Sequence, residues 1–301
     1  MRYHITHETH YSYDSVATLS QQLLFMSPRN FESQICLDHQ IDVTPVPNES
    51  ANNLDYFGNI SHYFSIFTPH QDLIVRVEST VDLFPRPSLQ SLEHSTPWEI
   101  VRDRLNLHNG IYNDAVAYLY PSPKILCSDA LADYARPSFS NGRGIVEAAF
   151  DLTQRIYREF EFDSEATNVS TPLSEVLEGR RGVCQDFAHL MIGCLRSMGL
   201  ACRYVSGYIL TIPLEGHEKL IGADASHAWV SVYCHKFGWI DFDPTNNCLV
   251  QNDHITVAWG RDFSDVSPMR GVVLGGGAQT LKVSVTVTPI WSNELSVQLS
   301  L

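Results

Sequence analysis

No run of about 18 apolar residues occurs in the 301-residue chain, so no segment reads as a transmembrane helix. The first residues, Met1-Arg-Tyr-His-Ile-Thr-His, lack the apolar stretch of a secretory signal. Basic residues are scarce. Twenty Lys and Arg stand against 34 Asp and Glu, a net charge of −14, which argues against nucleic acid or an anionic membrane as partner. The seven cysteines are an odd number and include no Cys-x-x-Cys, which speaks against a disulfide framework and for a reduced, cytoplasmic protein. In that compartment the Asn-x-Ser triplets at Asn48, Asn59 and Asn168 carry no glycosylation meaning. A Gly-x-Ser-x-Gly elbow is missing, and Gly275–Gly277 precede a strand-like run, unlike a phosphate-cradling loop. The 13 histidines are scattered, and His7-Glu-Thr-His10 has the wrong step for a zincin, so neither a metal nor an organic cofactor is expected.

What is present is a core-forming composition, 44% hydrophobic and 18% charged. From Arg2 to Phe84 the pattern has period two. Tyr3, Ile5, His7, Thr9, Tyr11 and Tyr13 alternate with polar residues, and strand-like runs follow at Ile35–Thr44, Asp55–Phe67 and Leu73–Phe84. Short strands with regular turn signals predict an antiparallel, β-sandwich-like domain over residues 1–90. The prolines of Phe84-Pro-Arg-Pro-Ser-Leu-Gln-Ser mark a linker, and residues 91–301 form the second domain. Helical periodicity then takes over at Pro97–Leu105, Ser128–Ala135 and Ile145–Phe160. Strands return at Ala201–Leu210, His227–Tyr233, Gly238–Asp243, Thr280–Thr288 and Leu295–Leu299. This order is that of an α+β fold with helices packed on an antiparallel sheet. The acidic, Ser/Thr-rich stretch between Phe160 and Glu178 reads as a solvated loop or as a flap beside the site described next.

That site begins at Gly179-Arg-Arg-Gly-Val-Cys-Gln-Asp-Phe-Ala-His-Leu190, which sets Cys184 at a helix entrance. Cys184, Phe187, Ala188, Met191, Leu195 and Met198 fall on one stripe, so the thiol points where the helix packs. Gly179 and Gly182 break structure before the cysteine, and Gly199 closes the helix. A sulfur in the first turn feels the positive end of the helix dipole, with Arg180 and Arg181 nearby in sequence, and both favour thiolate. A cysteine nucleophile needs a base and a group to hold the base. Ser226-His-Ala-Trp-Val through Asp243-Pro-Thr245 offers both on one hairpin. A register with His227 directly opposite Asp243 puts them on one face with Trp229, Ser231, Tyr233, Trp239 and Asp241. It requires an odd-length turn near His235 or a bulge. The His227 face is then expected to meet the Cys184 stripe, with Trp229, Tyr233 and Trp239 packing the hairpin onto the helix. Taken singly, each residue also has a plain structural reading, as a buried thiol, a packed histidine and a turn aspartate.

Gly182-Val-Cys184-Gln-Asp-Phe-Ala, Arg196-Ser-Met-Gly-Leu-Ala-Cys-Arg-Tyr-Val-Ser-Gly207, Ser226-His227-Ala-Trp-Val and Gly238-Trp-Ile-Asp-Phe-Asp243-Pro-Thr resemble, in order, the motifs of the transglutaminase-like superfamily of papain-related cysteine enzymes. The resemblance covers roughly residues 145–250. Residues 1–84 resemble the β-rich region that accompanies this core in bacterial members, and Gly260–Gly271 resembles one of their C-terminal stretches. It implies a papain-like core and a Cys184–His227–Asp243 triad. The backbone N–H of Cys184 would help hold an oxyanion. Transglutaminases proper add a tryptophan upstream of the nucleophile. Here the nearest is Trp98, 86 residues earlier, which leaves Tyr157, Gln185 or a backbone donor for that role. The expected activity is acyl transfer from a peptide or protein amide through a Cys184 thioester, with hydrolysis first and glutamine transamidation as the alternative. A binding module without turnover is the alternative from another class. The oligomeric state is not legible.

Overall fold

The computed structural model describes residues 1–106, 113–211 and 226–291. Its first sheet is organised by one strand. β1 (Arg2–Leu24) buries Tyr3, Ile5, His7 and Thr9 in alternation, the pattern of a strand with one face on a core. β2 (Gln34–Thr44), β3 (Glu49–Leu54), β4 (Ile60–Ile66) and β5 (His70–Leu83) are all antiparallel, in the order β2-β5-β1-β4-β3. The run expected over 55–67 is therefore split. Asp55 accepts the N–H groups of Phe57 and Asn59 in a turn, and the strand β3 lies before it. The sheet closes partly on itself, so that Tyr13 and Leu24 of β1, Phe64 and Ile66 of β4 and Leu73 and Val75 of β5 share an apolar cluster of their own.

The proline-rich segment after β5 is a strap rather than a free linker. Arg86 Nη1 bonds Asp241 Oδ2 at 2.6 Å, with both side chains nearly buried. Helices follow: α1 (Trp98–Asn106), α2 (Asn113–Val116), α3 (Asp129–Ala135) and α4 (Ile145–Glu159). Ser128 caps α3 by accepting from Leu131 N–H, and Ile145, Ala149, Leu152, Ile156 and Phe160 are all buried, as their spacing predicts. β6 (Glu161–Phe162), α5 (Leu173–Gly179) and β7 (Arg181–Gly182) lead into α6 (Cys184–Ser197). α6 is the central helix. The sequence assigns it one apolar stripe, whereas every residue from Asp186 to Arg196 is buried, because α3, α4 and α5 cover the sides that the sheet does not. Each large apolar side chain enclosed this way stabilises the fold by on the order of 1.5–3 kcal/mol.

The second sheet has the order β11-β10-β9-β8-β12, from β8 (Cys202–Ile209), β9 (Ser226–Cys234), β10 (Gly238–Asp243), β11 (Cys248–Leu249) and β12 (His254–Gly260). After α7 (Phe263–Val266), β13 (Met269–Gly275) and β14 (Gln279–Ile290) pair with β1. A division at residue 90 thus does not follow the sheets: the strands after residue 268, read from sequence as part of the second domain, complete the first sheet. β14 also runs past Pro289, which stands at its edge opposite Tyr3. The strand expected at Leu295–Leu299 lies outside the described residues. Together the elements form an α+β fold, with an antiparallel β-rich region followed by helices on an antiparallel sheet.

Candidate active site

Cys184 is the first residue of α6, and the chain before it is shaped by one carboxylate. Asp186 Oδ2 accepts the N–H of Val183 at 2.9 Å and the hydroxyl of Thr167 at 2.6 Å. These bonds satisfy one orphan donor at the helix start and tie the 163–172 loop to it. The loop therefore lies beside the cysteine turn, with Glu165 exposed and Asp163 partly buried. At the other end Gly199, at φ +77°, ends the helix in the left-handed conformation, with Leu200 N–H on Leu195 O at 3.0 Å. The two arginines before the cysteine do not serve the thiol as expected. Arg180 bonds Glu159 at 3.0 Å and stacks on Tyr134 and Phe160, while Arg181 lies 3.7 Å from Asp163.

The hairpin turns over the three residues His235–Phe237, an odd-length turn with Gly238 at φ +70°. Its register differs by two residues from the expected one. Phe242 pairs with Val230 and Asp241 with Ser231, so Asp243 comes level with Trp229 and lies diagonal to His227. Parity is unchanged, so the two side chains still share a face, and His227 Nε2 lies 2.7 Å from Asp243 Oδ2. Gly207 of β8 pairs with His227 of β9. A Cβ there would come within 2.1 Å of Ile255 O and 2.5 Å of the Trp229 ring, so this position admits no side chain.

The face of the hairpin against α6 is the opposite of the one expected. Ala228, Val230 and Val232 share the core of Phe187, Ala188 and Met191, whereas Trp229 packs with Val205 and Val250 behind the sheet. Trp239 meets Tyr118 and Tyr233 edge to face. The apolar alternation decides this, since the small and β-branched residues suit the helix. His227 reaches Cys184 because it is the second residue of its strand, at the end of the sheet where α6 begins.

Asp243 accepts five hydrogen bonds. Thr245 N–H (2.8 Å) and Asn246 N–H (3.1 Å) bond Oδ1, while Asn246 Nδ2 (2.6 Å), His227 Nε2 (2.7 Å) and His254 Nε2 (3.0 Å) converge on Oδ2. Burial alone would favour the protonated acid, but the donors outweigh it and hold the carboxyl well below its usual range. At His227 burial opposes the charged ring. The hydrogen bonds to Asp243 and to the Cys184 thiol overcome it and lift the imidazole to about 10. With Nε2 on Asp243, Nδ1 is the nitrogen left for the sulfur. His254, Asp253 and Asn246 escaped the sequence reading. The one signal for His254 and Asp253 is an acid–histidine pair opening an alternating run, Asp253-His-Ile-Thr-Val.

The polar atoms of His227, Asp243 and His254 lie within 4.8 Å of one another, a grouping of metal-ligand types that the scattered histidines of the sequence do not suggest. Both Nε2 atoms, however, address one carboxylate oxygen at 2.7 and 3.0 Å, the geometry of N–H donors on an acceptor. Gln185, partly buried, adjoins the cysteine in the first turn of α6, while Tyr157 on α4 is half-exposed. No helix among the described residues is long and apolar enough to cross a membrane.

Residues 3–82 match the bacterial transglutaminase-like N-terminal region, and residues 132–244 match the transglutaminase-like superfamily. An uncharacterized protein of Mycobacterium tuberculosis is 41% identical over 98% of this chain and 95% of its own length. The chain belongs to the transglutaminase-like superfamily. A second uncharacterized relative, from Mycobacterium leprae, is 29% identical over 95% of the chain and 98% of its own length. A protein-glutamine gamma-glutamyltransferase of Pseudomonas aeruginosa is 30% identical over 120 residues, 38% of this chain and 18% of that one. Among solved structures, a candidate cysteine protease from Cytophaga hutchinsonii shares the fold of this superfamily member, with a TM-score of 0.76 over 97% of this chain and 93% of that one, at 24% identity.

Proposed function

We propose that this transglutaminase-like protein is a cysteine-dependent amide acyl-transfer enzyme, in first place a hydrolase of peptide or isopeptide-like amides. Cys184 Sγ attacks the amide carbonyl after His227 Nδ1 takes its proton, and the oxyanion rests on the Cys184 backbone N–H at the positive end of α6. Gln185 and Tyr157 are the side-chain candidates for the second donor. His227 then protonates the leaving amine, giving a Cys184 thioester that water resolves with His227 as base. Asp243 fixes the imidazole with Nε2 protonated and stabilises its cation. The observation that supports this reading is the position of His227, hydrogen-bonded to Asp243 on one side and to the Cys184 thiol on the other. All seven cysteines are unpaired, which suits a reducing compartment such as the cytoplasm.

Transamidation is the second reading, favoured by the partial match to a protein-glutamine gamma-glutamyltransferase. The test is turnover of an amide and peptide library by wild type and Cys184→Ala, with and without hydroxylamine. Products lost in Cys184→Ala support the thioester route, and hydroxamate in place of acid marks transfer to an amine. A library processed equally by both proteins would refute the proposal.

A further inference from the structure

His254, the first residue of β12, is fully buried, yet both its ring nitrogens meet carboxylates. Nε2 lies 3.0 Å from Asp243 Oδ2, and Nδ1 lies 2.6 Å from Asp253 Oδ1. An ionised carboxylate offers only lone pairs. A neutral imidazole has a single N–H and would turn its own lone pair toward one of the two acids. The geometry is satisfied when both nitrogens carry protons. Trp229 holds the arrangement, edge-on to His254 at 5.2 Å and tilted against His227 at 6.1 Å.

We propose that His254 is a permanent imidazolium and a positioning residue of the site, which with Asp253 extends the Cys184–His227–Asp243 run into a five-group chain of alternating charge. This inference rests on the function proposed above. The chain leads from the partly buried thiol to Asp253, whose side chain is half in solvent. His254 does two things. Its N–H pins Asp243 Oδ2, and its charge competes with His227 for that same oxygen. The two rings are 5.9 Å apart. Without this competitor Asp243 would bind the His227 proton more tightly, and an imidazolium held too strongly is a poor acid toward a leaving amine. Among the described residues, Tyr3, whose hydroxyl bonds Asn252 O beside Asp253, and Cys248, which feels both Asp243 and Asp253, are the further titratable groups near His254. Burial pushes both toward their neutral forms, so neither supplies a rival charge.

The test is ring-nitrogen NMR of the full-length chain labelled with ¹⁵N-histidine, in wild type, His254→Gln and Asp253→Asn. Glutamine keeps an N–H donor but removes the charge, and Asp253→Asn changes a half-exposed residue that leaves the buried part of the chain in place. His254 is expected to carry two ring protons from pH 5 to 8. In His254→Gln the midpoint of His227 rises by on the order of one to two pH units. In Asp253→Asn it moves the same way by less, as His254 gives up a proton at lower pH than in wild type. A single ring proton on His254 at pH 7, or a His227 midpoint that stays or falls in both variants, overturns the proposal. Alkylation of Cys184 by iodoacetamide separates the two ideas: indifferent labelling with the predicted NMR result refutes the nucleophile but leaves the charge chain standing.

Discussion

Asp186 occupies the space that a side chain at Gly182 would need: a Cβ on Gly182 would stand 2.7 Å from Asp186 Oδ2 and 2.9 Å from its Cβ. The glycine two residues before the cysteine is thus required by the carboxylate two residues after it. Gly182→Ala should push Asp186 off the Val183 N–H and the Thr167 hydroxyl. The expected cost is about 1–3 kcal/mol, read as a lower urea midpoint with unchanged slope. The same variant should also lose preferential alkylation at Cys184, because the first turn of α6 is no longer anchored.

Asp243→Asn is expected to be more damaging than its near-identical shape suggests. An amide can present one oxygen and must turn its NH₂ toward either the two histidines or the Thr245–Asn246 turn. Stability should fall by about 3 kcal/mol or more, and turnover by roughly 10²–10⁴-fold if His227 is the base. Steady-state kinetics on any substrate from the library, beside chemical denaturation, measures both.

Stability should peak near pH 6.5. Burial pushes His7 down to about 4 from its ordinary 6.5, so its contribution is intact above 6.5 and is lost as pH falls toward 4, where the ring must charge in a dry site. His227 works in the other direction. Raised to about 10, it contributes fully below 6.5 and loses that contribution as pH climbs through 10. Asp243, held low, contributes above the ordinary carboxylate value of 3.8 and loses it as pH falls through its lower folded value. His7→Gln should therefore remove on the order of 3 kcal/mol of acid sensitivity between pH 6.5 and 4, and His227→Gln should flatten only the alkaline side. Urea midpoints across pH 4–10 test both.

Arg86 fastens the strap between the sheets to Asp241, which also accepts Trp229 Nε1 at 3.2 Å. Arg86→Ala removes the cation hydrogen-bonded to a nearly buried carboxylate and leaves it only the charge of buried Arg203. It should cost about 3–5 kcal/mol, far more than loss of an exposed pair such as Arg136–Asp133. Thermal unfolding of Arg86→Ala and Arg136→Ala side by side makes the comparison.

Much of this was legible in the sequence because it is local. Alternation fixed the burial of Tyr3, Ile5 and His7, and the 3.6-residue period gave the buried face of α4. The face shared by His227 and Asp243 followed from parity alone, which survives an error of two residues in register but would not survive one of a single residue. What could not be read is set by contacts far apart in sequence. Whether α6 meets Val230 or Trp229 depends on which layer covers each face, and period-two alternation does not say. The return of β13 and β14 to β1 joins residues from 245 (Leu24 and Met269) to 288 (Arg2 and Ile290) positions apart, and no local pattern encodes it. His254 reaches Asp243 from a strand on the far side of β8 and β9, so its place beside the site follows from the sheet order rather than from any spacing.

The most direct test of the central claim is site-resolved alkylation by iodoacetamide near neutral pH, read by mass spectrometry over all seven cysteines. Burial pushes Cys202 and Cys248 up to about 12 and Cys194 and Cys234 higher still, so these thiols should react slowly. The account predicts that Cys184 is modified first, at least about tenfold faster than any other cysteine, and that His227→Ala removes this preference. Uniform labelling, or labelling that spares Cys184, would contradict it.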